Sequence, residues 1–373
     1  MQPVHACGAH ATGDSIKTKA DADPPSPPMP STSGPAITWL PLVGLVVAPA
    51  PLSASVERTS AIIEVSGRVR VFSWLLNRAH SPDMGGWDRL LPGIASVGGD
   101  EVPAALNQCF EDNGGKIRWT SIGTGPPIVL VHGTPYSSFI WRAVAPVLSA
   151  HRQVFLFDHL GYGQSEQRDG QDLTIAAQGR RFAHLLNHWH VDAPSVVATD
   201  IGGAIALRAL LLESASFGDL LLFDAVTGGD WERGLFALML AHPEVFEALP
   251  GYAHRALVAS HMHNATYLGF RPGVLDELLA PWLGADGQAA YYRQYRQLRQ
   301  ADTAEYEHLL ANISIPVRIL WGRHDQILPA QYAEWIASRL PAAPLSWEGN
   351  AGHLLAEDAP ARLLAEILGP RQA

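Results

Sequence analysis

The stretch Val196-Val197-Ala198-Thr199-Asp200-Ile201-Gly202-Gly203 restricts the fold more than any other part of this chain. Its apolar start reads as a short buried strand, and Ala204-Ile205-Ala206-Leu207 after it reads as the opening of a helix. Between them Ala198 and Gly202 stand two residues before and two residues after Asp200, so the backbone can bend sharply and hold the Asp200 side chain above the end of a sheet. A strand, a tight turn and a helix in that order imply a parallel sheet covered by helices. The apex residue is an acid where a serine is the common choice, and the chemistry follows from that.

The surrounding sequence alternates in the same way from about Gly114. Strands are expected at Ile117–Ile122, Pro127–Val131, Val154–Asp158, Ser195–Thr199, Leu220–Asp224, Val317–Trp321 and Pro344–Trp347. Helices are expected at Phe139–Ala150, Leu173–Trp189 and Gly202–Glu213. Residues 228–311 break the alternation with helical patterns alone, such as Trp231–Leu240 and Gln288–Arg299. The reading is an α/β core over 106–227 and 312–373, with a helical cap over 228–311 at the sheet edge where such folds bind ligands.

Residues 1–105 lack this periodicity and are expected to be a poorly ordered extension, since Asp23-Pro24-Pro25-Ser26-Pro27-Pro28 cannot bury apolar area. A translation start at Met84 would remove most of it. The apolar run Ile37–Val47 is broken by Pro41 and is shorter than the ~20 residues of a membrane span. It also lies behind an acidic, proline-rich segment, unlike an ordinary signal peptide. The run Val65–Leu76 fits a strand or a helix but no position in the sheet.

Charge and cysteines narrow the partners. The formal charge is −10, and the basic residues, nearly all Arg, form no run suited to nucleic acid. Cys7 and Cys109 both precede the main strand pattern, which leaves no disulfide framework and no cysteine cluster for a metal. A cytoplasmic enzyme with a small-molecule substrate and water as its partners is expected, with no membrane association, no cofactor and no metal.

Five motifs then fall in order: His132-Gly133-Thr134-Pro135, Asp158-His159-Leu160-Gly161-Tyr162-Gly163-Gln164-Ser165, the turn at Asp200, Trp321-Gly322-Arg323-His324-Asp325, and Ala351-Gly352-His353. This series resembles the α/β-hydrolase superfamily over roughly 114–370. With Asp at the apex it looks like the branch of haloalkane dehalogenases, haloacetate dehalogenases and epoxide hydrolases, and HGTPYSSFIWR from His132 is especially similar to the dehalogenases. A free carboxylate has a pKa of roughly 3.9, so at neutral pH it can attack a saturated carbon without a base. The resemblance implies an alkyl ester on Asp200, His353 as the base that activates water, and the backbone N–H groups of Thr134 and Ile201 as donors to the oxyanion.

Two acids could orient His353. Asp325 keeps the order nucleophile, acid, histidine and is preferred; Asp224, at the end of an earlier strand, is the alternative and could otherwise cap a turn. An Asp after a strand often serves only as a helix cap, but His353 and the glycines in register favour catalysis at Asp200. His132 is read as a structural residue of the oxyanion loop, and His188, His190, His261 and His263 as solvated side chains.

The leaving group is less constrained. Dehalogenases resembling this chain hold halide with side-chain N–H donors at the positions of Ile201 and Thr134, which offer none, so lid residues such as Trp231 or Trp282 would have to serve. Arginines that would clamp a haloacetate are replaced by Ile201 and Ala204. Epoxide hydrolases instead use lid phenols, and Ala290-Tyr291-Tyr292-Arg293-Gln294 resembles a segment carrying one of them, which favours Tyr292, with Tyr252 and Tyr267 as further candidates. Epoxide hydrolysis is the first expectation and hydrolytic dehalogenation the second. An esterase or lactonase, and a non-catalytic receptor with the same pocket, are the remaining readings.

Overall fold

The computed structural model describes residues 105–369. The leader, with Cys7, Ile37–Val47 and Val65–Leu76, lies outside the described residues. Eight strands form one sheet: β1 (Gln108–Asp112), β2 (Gly115–Ile122), β3 (Pro127–Val131), β4 (Gln153–Phe157), β5 (Ser195–Asp200), β6 (Asp219–Ala225), β7 (Val317–Gly322) and β8 (Leu345–Glu348). Their spatial order is β1-β2-β4-β3-β5-β6-β7-β8. β2 is antiparallel to β1 and to β4, and the remaining pairs are parallel.

The central strands are nearly continuous apolar runs because helices cover both of their faces. Ile128 to Val131, Leu220 to Phe223 and the inner residues of β4 and β5 are buried. The chain passes from β3 to β4 on one side and then returns to β5 on the other. That reversal opens a crevice beyond the C-terminal ends of β3 and β5, where ligands of open α/β sheets bind.

Helices α1 (Ala145–Leu148), α2 (Ile175–Trp189) and α3 (Ile201–Leu212) belong to the first half of the core. α2 begins cleanly because the Thr174 hydroxyl accepts from the Ala177 N–H at 3.1 Å. The single helix expected over Phe139–Ala150 is instead a 3-10 turn, Ser138–Trp141, followed by the short α1. Pro146 explains the break, since it cannot donate to a preceding carbonyl and is tolerated only in a helix's first turn.

Between β6 and β7 the described elements are all helical: α4 (Gly234–Ala241), α5 (Pro243–Glu247), α6 (Gly251–Asn264), α7 (Val274–Leu279), α8 (Gly284–Tyr295) and α9 (Gln300–Glu307), with short 3-10 turns. α9 lies against the core, for Arg208 of α3 donates to the Asp302 carbonyl and pairs with Glu305. Helices α10 (Gln331–Arg339), α11 (Leu355–Asp358) and α12 (Pro360–Leu368) complete the chain. None of the helices among the described residues is long and apolar enough to cross a membrane.

β1 is an addition to the expected strands. It forms a hairpin with β2 in which Asp112 faces Gly115 across Asn113-Gly114. Asn-Gly is a strong hairpin signal, and here the positive φ falls on the next residue, Gly115, at 142°.

Candidate active site

Asp200 ends β5 with φ 49° and ψ −134°, a conformation that a residue with a side chain adopts only when its surroundings impose it. The Asp200 carbonyl accepts from Val226 N–H at 2.9 Å, which ties the turn to the end of β6. Gly202 leaves room for the oxyanion loop, since a Cβ there would lie 2.8 Å from the Val131 carbonyl and collide with that of His132. Gly133 is likewise obligatory, because a Cβ would strike the Asp200 side chain itself.

Thr134 N–H donates to Asp200 Oδ1 at 2.7 Å. Ile201 opens α3 beside it, and the first N–H groups of a helix have no intrahelical acceptor. Oδ1 is therefore the oxygen turned toward backbone donors. Oδ2 faces His353, whose Nε2 lies 3.2 Å away, while His353 Nδ1 lies 2.9 Å from Asp325 Oδ2.

Asp325 is itself fixed, its Oδ1 accepting the Ile327 and Leu328 N–H groups at 2.8 Å each. Of the two acids, it is Asp325 whose carboxylate lies at hydrogen-bond distance from His353. Asp224, fully buried, directs Oδ1 to the Gly322 N–H at 2.7 Å, and its Oδ2 has no hydrogen-bond partner. Burial first, then the charge of Asp325, push the Asp224 carboxyl well above the usual range, against the opposing pull of His353 and the Gly322 N–H. Burial acts to lower the His353 pKa, but the charge of Asp325 and the hydrogen bonds and charge of Asp200 outweigh it together, so it stands well above 6.5.

The motif residues around this triad are mainly positioning groups. His132 is fully buried; its Nε2 accepts from the His159 N–H at 2.9 Å, which leaves Nδ1 to donate to the Gly133 carbonyl at 3.0 Å. Burial drives its pKa down to about 4, so the ring is neutral in place. Asp158 accepts from Ser138 N–H at 2.7 Å and Gln164 N–H at 2.6 Å, joining the two loops after β3 and β4.

The cap departs from expectation at several positions. Tyr252 is 80% exposed on the outer surface, and Tyr267 is 47% exposed and stacked on His324, so neither is brought to Asp200. Tyr292 is buried, but its hydroxyl lies 2.9 Å from His254 Nδ1, while His254 Nε2 meets the Trp282 carbonyl at 2.8 Å. A carbonyl can only accept, so His254 carries its proton on Nε2 and the Tyr292 O–H donates to Nδ1. Tyr292 thus serves the cap's own packing. Both tryptophan N–H groups are also committed: Trp231 to Thr303 Oγ1 at 3.0 Å, and Trp282 to the Pro135 carbonyl at 2.7 Å.

Elsewhere in the cap, Tyr295 and His261 form a second pair. His261 Nε2 lies 3.1 Å from the Tyr295 hydroxyl. Burial, reinforced by His353 and opposed by the charge of Asp200, takes His261 down to about 4. Its side chain is half-buried. His261 is thus not the solvated residue expected, whereas His188, His190 and His263 are exposed.

Burial raises the Tyr295 pKa well above 10, with neighbouring Tyr291 and the charges of Asp200 and Tyr136 contributing. Tyr136 is buried and also senses Asp200 after burial itself. The sequence places Tyr295 among the lid phenols without singling it out, reads His261 as solvated, and gives no sign of Tyr136. For Tyr295 a signal existed in the helical spacing of Tyr291, Tyr292 and Tyr295, but which of them faces inward depends on how α8 docks. His261 meets Tyr295 from a separate helix, and no local pattern announces that.

A family model described as the alpha/beta hydrolase fold matches residues 126–360. A solved alpha/beta hydrolase fold protein from Burkholderia ambifaria is 39% identical with a TM-score of 0.69, covering 71% of this chain and 98% of that one. Haloalkane dehalogenase 2 of Mycobacterium tuberculosis is 26% identical over 279 residues, 69% of this chain and 92% of its own. The solved epoxide hydrolase CorEH is 21% identical with a TM-score of 0.57, covering 70% of this chain and 96% of that one. At that identity the last likeness concerns the fold alone.

Proposed function

The chain belongs to the alpha/beta hydrolase fold family and is a hydrolase, and from that premise we propose that it opens small, largely apolar epoxides through a covalent ester on Asp200. The observation that carries this reading is the buried Tyr295 hydroxyl, 3.1 Å from His261 Nε2 and next in α8 to Gln294, which accepts from the Thr134 hydroxyl. A phenol of raised pKa keeps its proton until a stronger base appears, and an alkoxide leaving an epoxide carbon is such a base.

Asp200 Oδ2 attacks the epoxide carbon, the ring C–O bond breaks, and the departing oxygen takes the Tyr295 proton. The product is a hydroxyalkyl ester with Oδ1 as its carbonyl oxygen. Esterification removes the negative charge that helped to hold the proton on His353; that proton passes to the Tyr295 phenolate and restores the phenol, so the imidazole becomes a free base when one is needed. It takes a proton from water, and the hydroxide attacks Asp200 Cγ. Negative charge gathers on Oδ1, where Thr134 N–H and Ile201 N–H receive it. Collapse expels the alkoxide, which takes the proton from His353 and leaves as a diol, and the Asp200 carboxylic acid returns its own proton to His353 to restore the starting state.

Hydrolytic dehalogenation would use the same ester, and the dehalogenase relative favours it. The two tryptophans expected to hold the halide, Trp231 and Trp282, are engaged with protein acceptors instead. The two readings separate when wild type and Asp200→Ala are given styrene oxide and bromobutane. Diol formation lost in the variant supports the proposal; bromide release lost in the variant, without diol formation in wild type, overturns the epoxide preference. Mass spectrometry of His353→Gln should find the substrate mass on the Asp200 peptide.

A further inference from the structure

We propose that Gln294, contributed by the cap helix α8, is a positioning residue for the oxyanion N–H of Thr134. Gln294 is fully buried, and its Oε1 accepts from the Thr134 hydroxyl at 2.8 Å and from the Tyr162 hydroxyl at 2.7 Å. One cap side chain thereby holds the residue after the His132-Gly133 pair and the loop after β4 together. The backbone N–H of the same Thr134 is the group that donates to Asp200 Oδ1. The next residue, Pro135, is held from the cap as well, by Trp282 Nε1.

The cost of this arrangement points to a purpose. Gln294 Nε2 is buried without a hydrogen-bond partner, a desolvation penalty that an apolar side chain of similar size would not carry. Simple packing would be served as well by methionine. What glutamine adds is an acceptor for two hydroxyls, and one of them belongs to the residue whose N–H must not drift.

The inference rests on the proposed ester chemistry and deepens it by separating the two half-reactions. During ester formation Oδ2 attacks, and the charge facing Thr134 N–H declines. During ester hydrolysis Oδ1 changes from a carbonyl oxygen to an oxyanion, so the same N–H gains strength in the transition state. Loosening Thr134 therefore slows hydrolysis far more than ester formation.

Gln294→Met keeps the volume and removes the acceptor. Thr134→Val keeps the backbone N–H and removes the hydroxyl, giving a second route if the first variant folds poorly. With styrene oxide, each variant should accumulate the Asp200 adduct in steady state, with kcat reduced about tenfold. Single-turnover ester formation should change less than about twofold, since that step gains little from this donor. The double variant should match the single ones. Equal slowing of both steps, or an unchanged partition between them, overturns the inference while an adduct on His353→Gln leaves the ester chemistry standing. Absence of any adduct on His353→Gln overturns the ester chemistry and the inference together.

Discussion

His353 places Nε2 3.2 Å from Asp200 Oδ2, and its other nitrogen 2.9 Å from Asp325. An imidazole between two carboxylates is held as a cation, which is the wrong state for a base until one of the charges is removed. In the proposed mechanism, attack by Asp200 removes it. The imidazole resonance of His353 should therefore titrate above 6.5 in wild type and at a lower pH in Asp200→Asn. The sign for stability follows from the raised pKa: the His353 contribution is complete below pH 6.5 and is lost as pH rises through the folded value. An unchanged titration in Asp200→Asn would show that Asp200 does not help to hold the proton.

The acids should behave unequally. Asp325→Asn removes the charge that orients and balances His353 and should lower kcat by about a hundredfold or more. Asp224→Asn keeps an acceptor for the Gly322 N–H and replaces a carboxyl that burial already disfavours as an anion, so activity should fall only a few-fold. Steady-state kinetics on both variants would refute this ranking if their losses were reversed.

In the cap, Tyr295→Phe should slow ester formation on the order of 10²-fold, and Tyr292→Phe should leave it nearly unchanged, because the Tyr292 proton is already given to His254. Stopped-flow single turnovers with an epoxide provide the measurement. Comparable losses in both variants would mean that the two phenols share the work.

Gly133→Ala tests the close approach of the oxyanion loop. The added methyl collides with the Asp200 side chain, and displacing a nucleophile by even an ångström can cost on the order of 10²-fold in rate. An active Gly133→Ala enzyme, confirmed by product analysis, would contradict the observed packing.

Acid should unfold the protein in part through His132. Its folded pKa is about 4 against 6.5 when free, so the unfolded chain binds more protons between those values and stability falls as pH drops from 6.5 toward 4. The lowering of roughly 2.5 corresponds to about 3 kcal/mol at the acid end. Urea midpoints across this range should fall less steeply in His132→Gln than in wild type, although the variant starts less stable. Parallel slopes would assign the acid sensitivity to other groups.

Much of the core was legible because its signals are local. Buried parallel strands show as apolar runs, and the small residues around Asp200 declare their turn, so Asp200, Asp325, His353 and Thr134 could be named from motifs before their geometry was known. Asn113-Gly114 carried an equally local signal for β1, but the expected sheet began only after it. The cap residues were harder for a physical reason. Which face of α8 meets the site depends on docking between helices, and a helical sequence offers Tyr291, Tyr292 and Tyr295 without saying how the helix is turned. His261 and Gln294 gain their roles from partners 34 and 160 residues away in the chain. No short pattern records such distances.

The φ of 49° at Asp200 places the proposed nucleophile on backbone that glycine would occupy more comfortably. Asp200→Gly should accordingly melt at a higher temperature than the parent while turning over nothing. On the proposed chemistry the turn at the centre of the sheet is a thermodynamic debit, and the sequence that would fold best there is one that could not react.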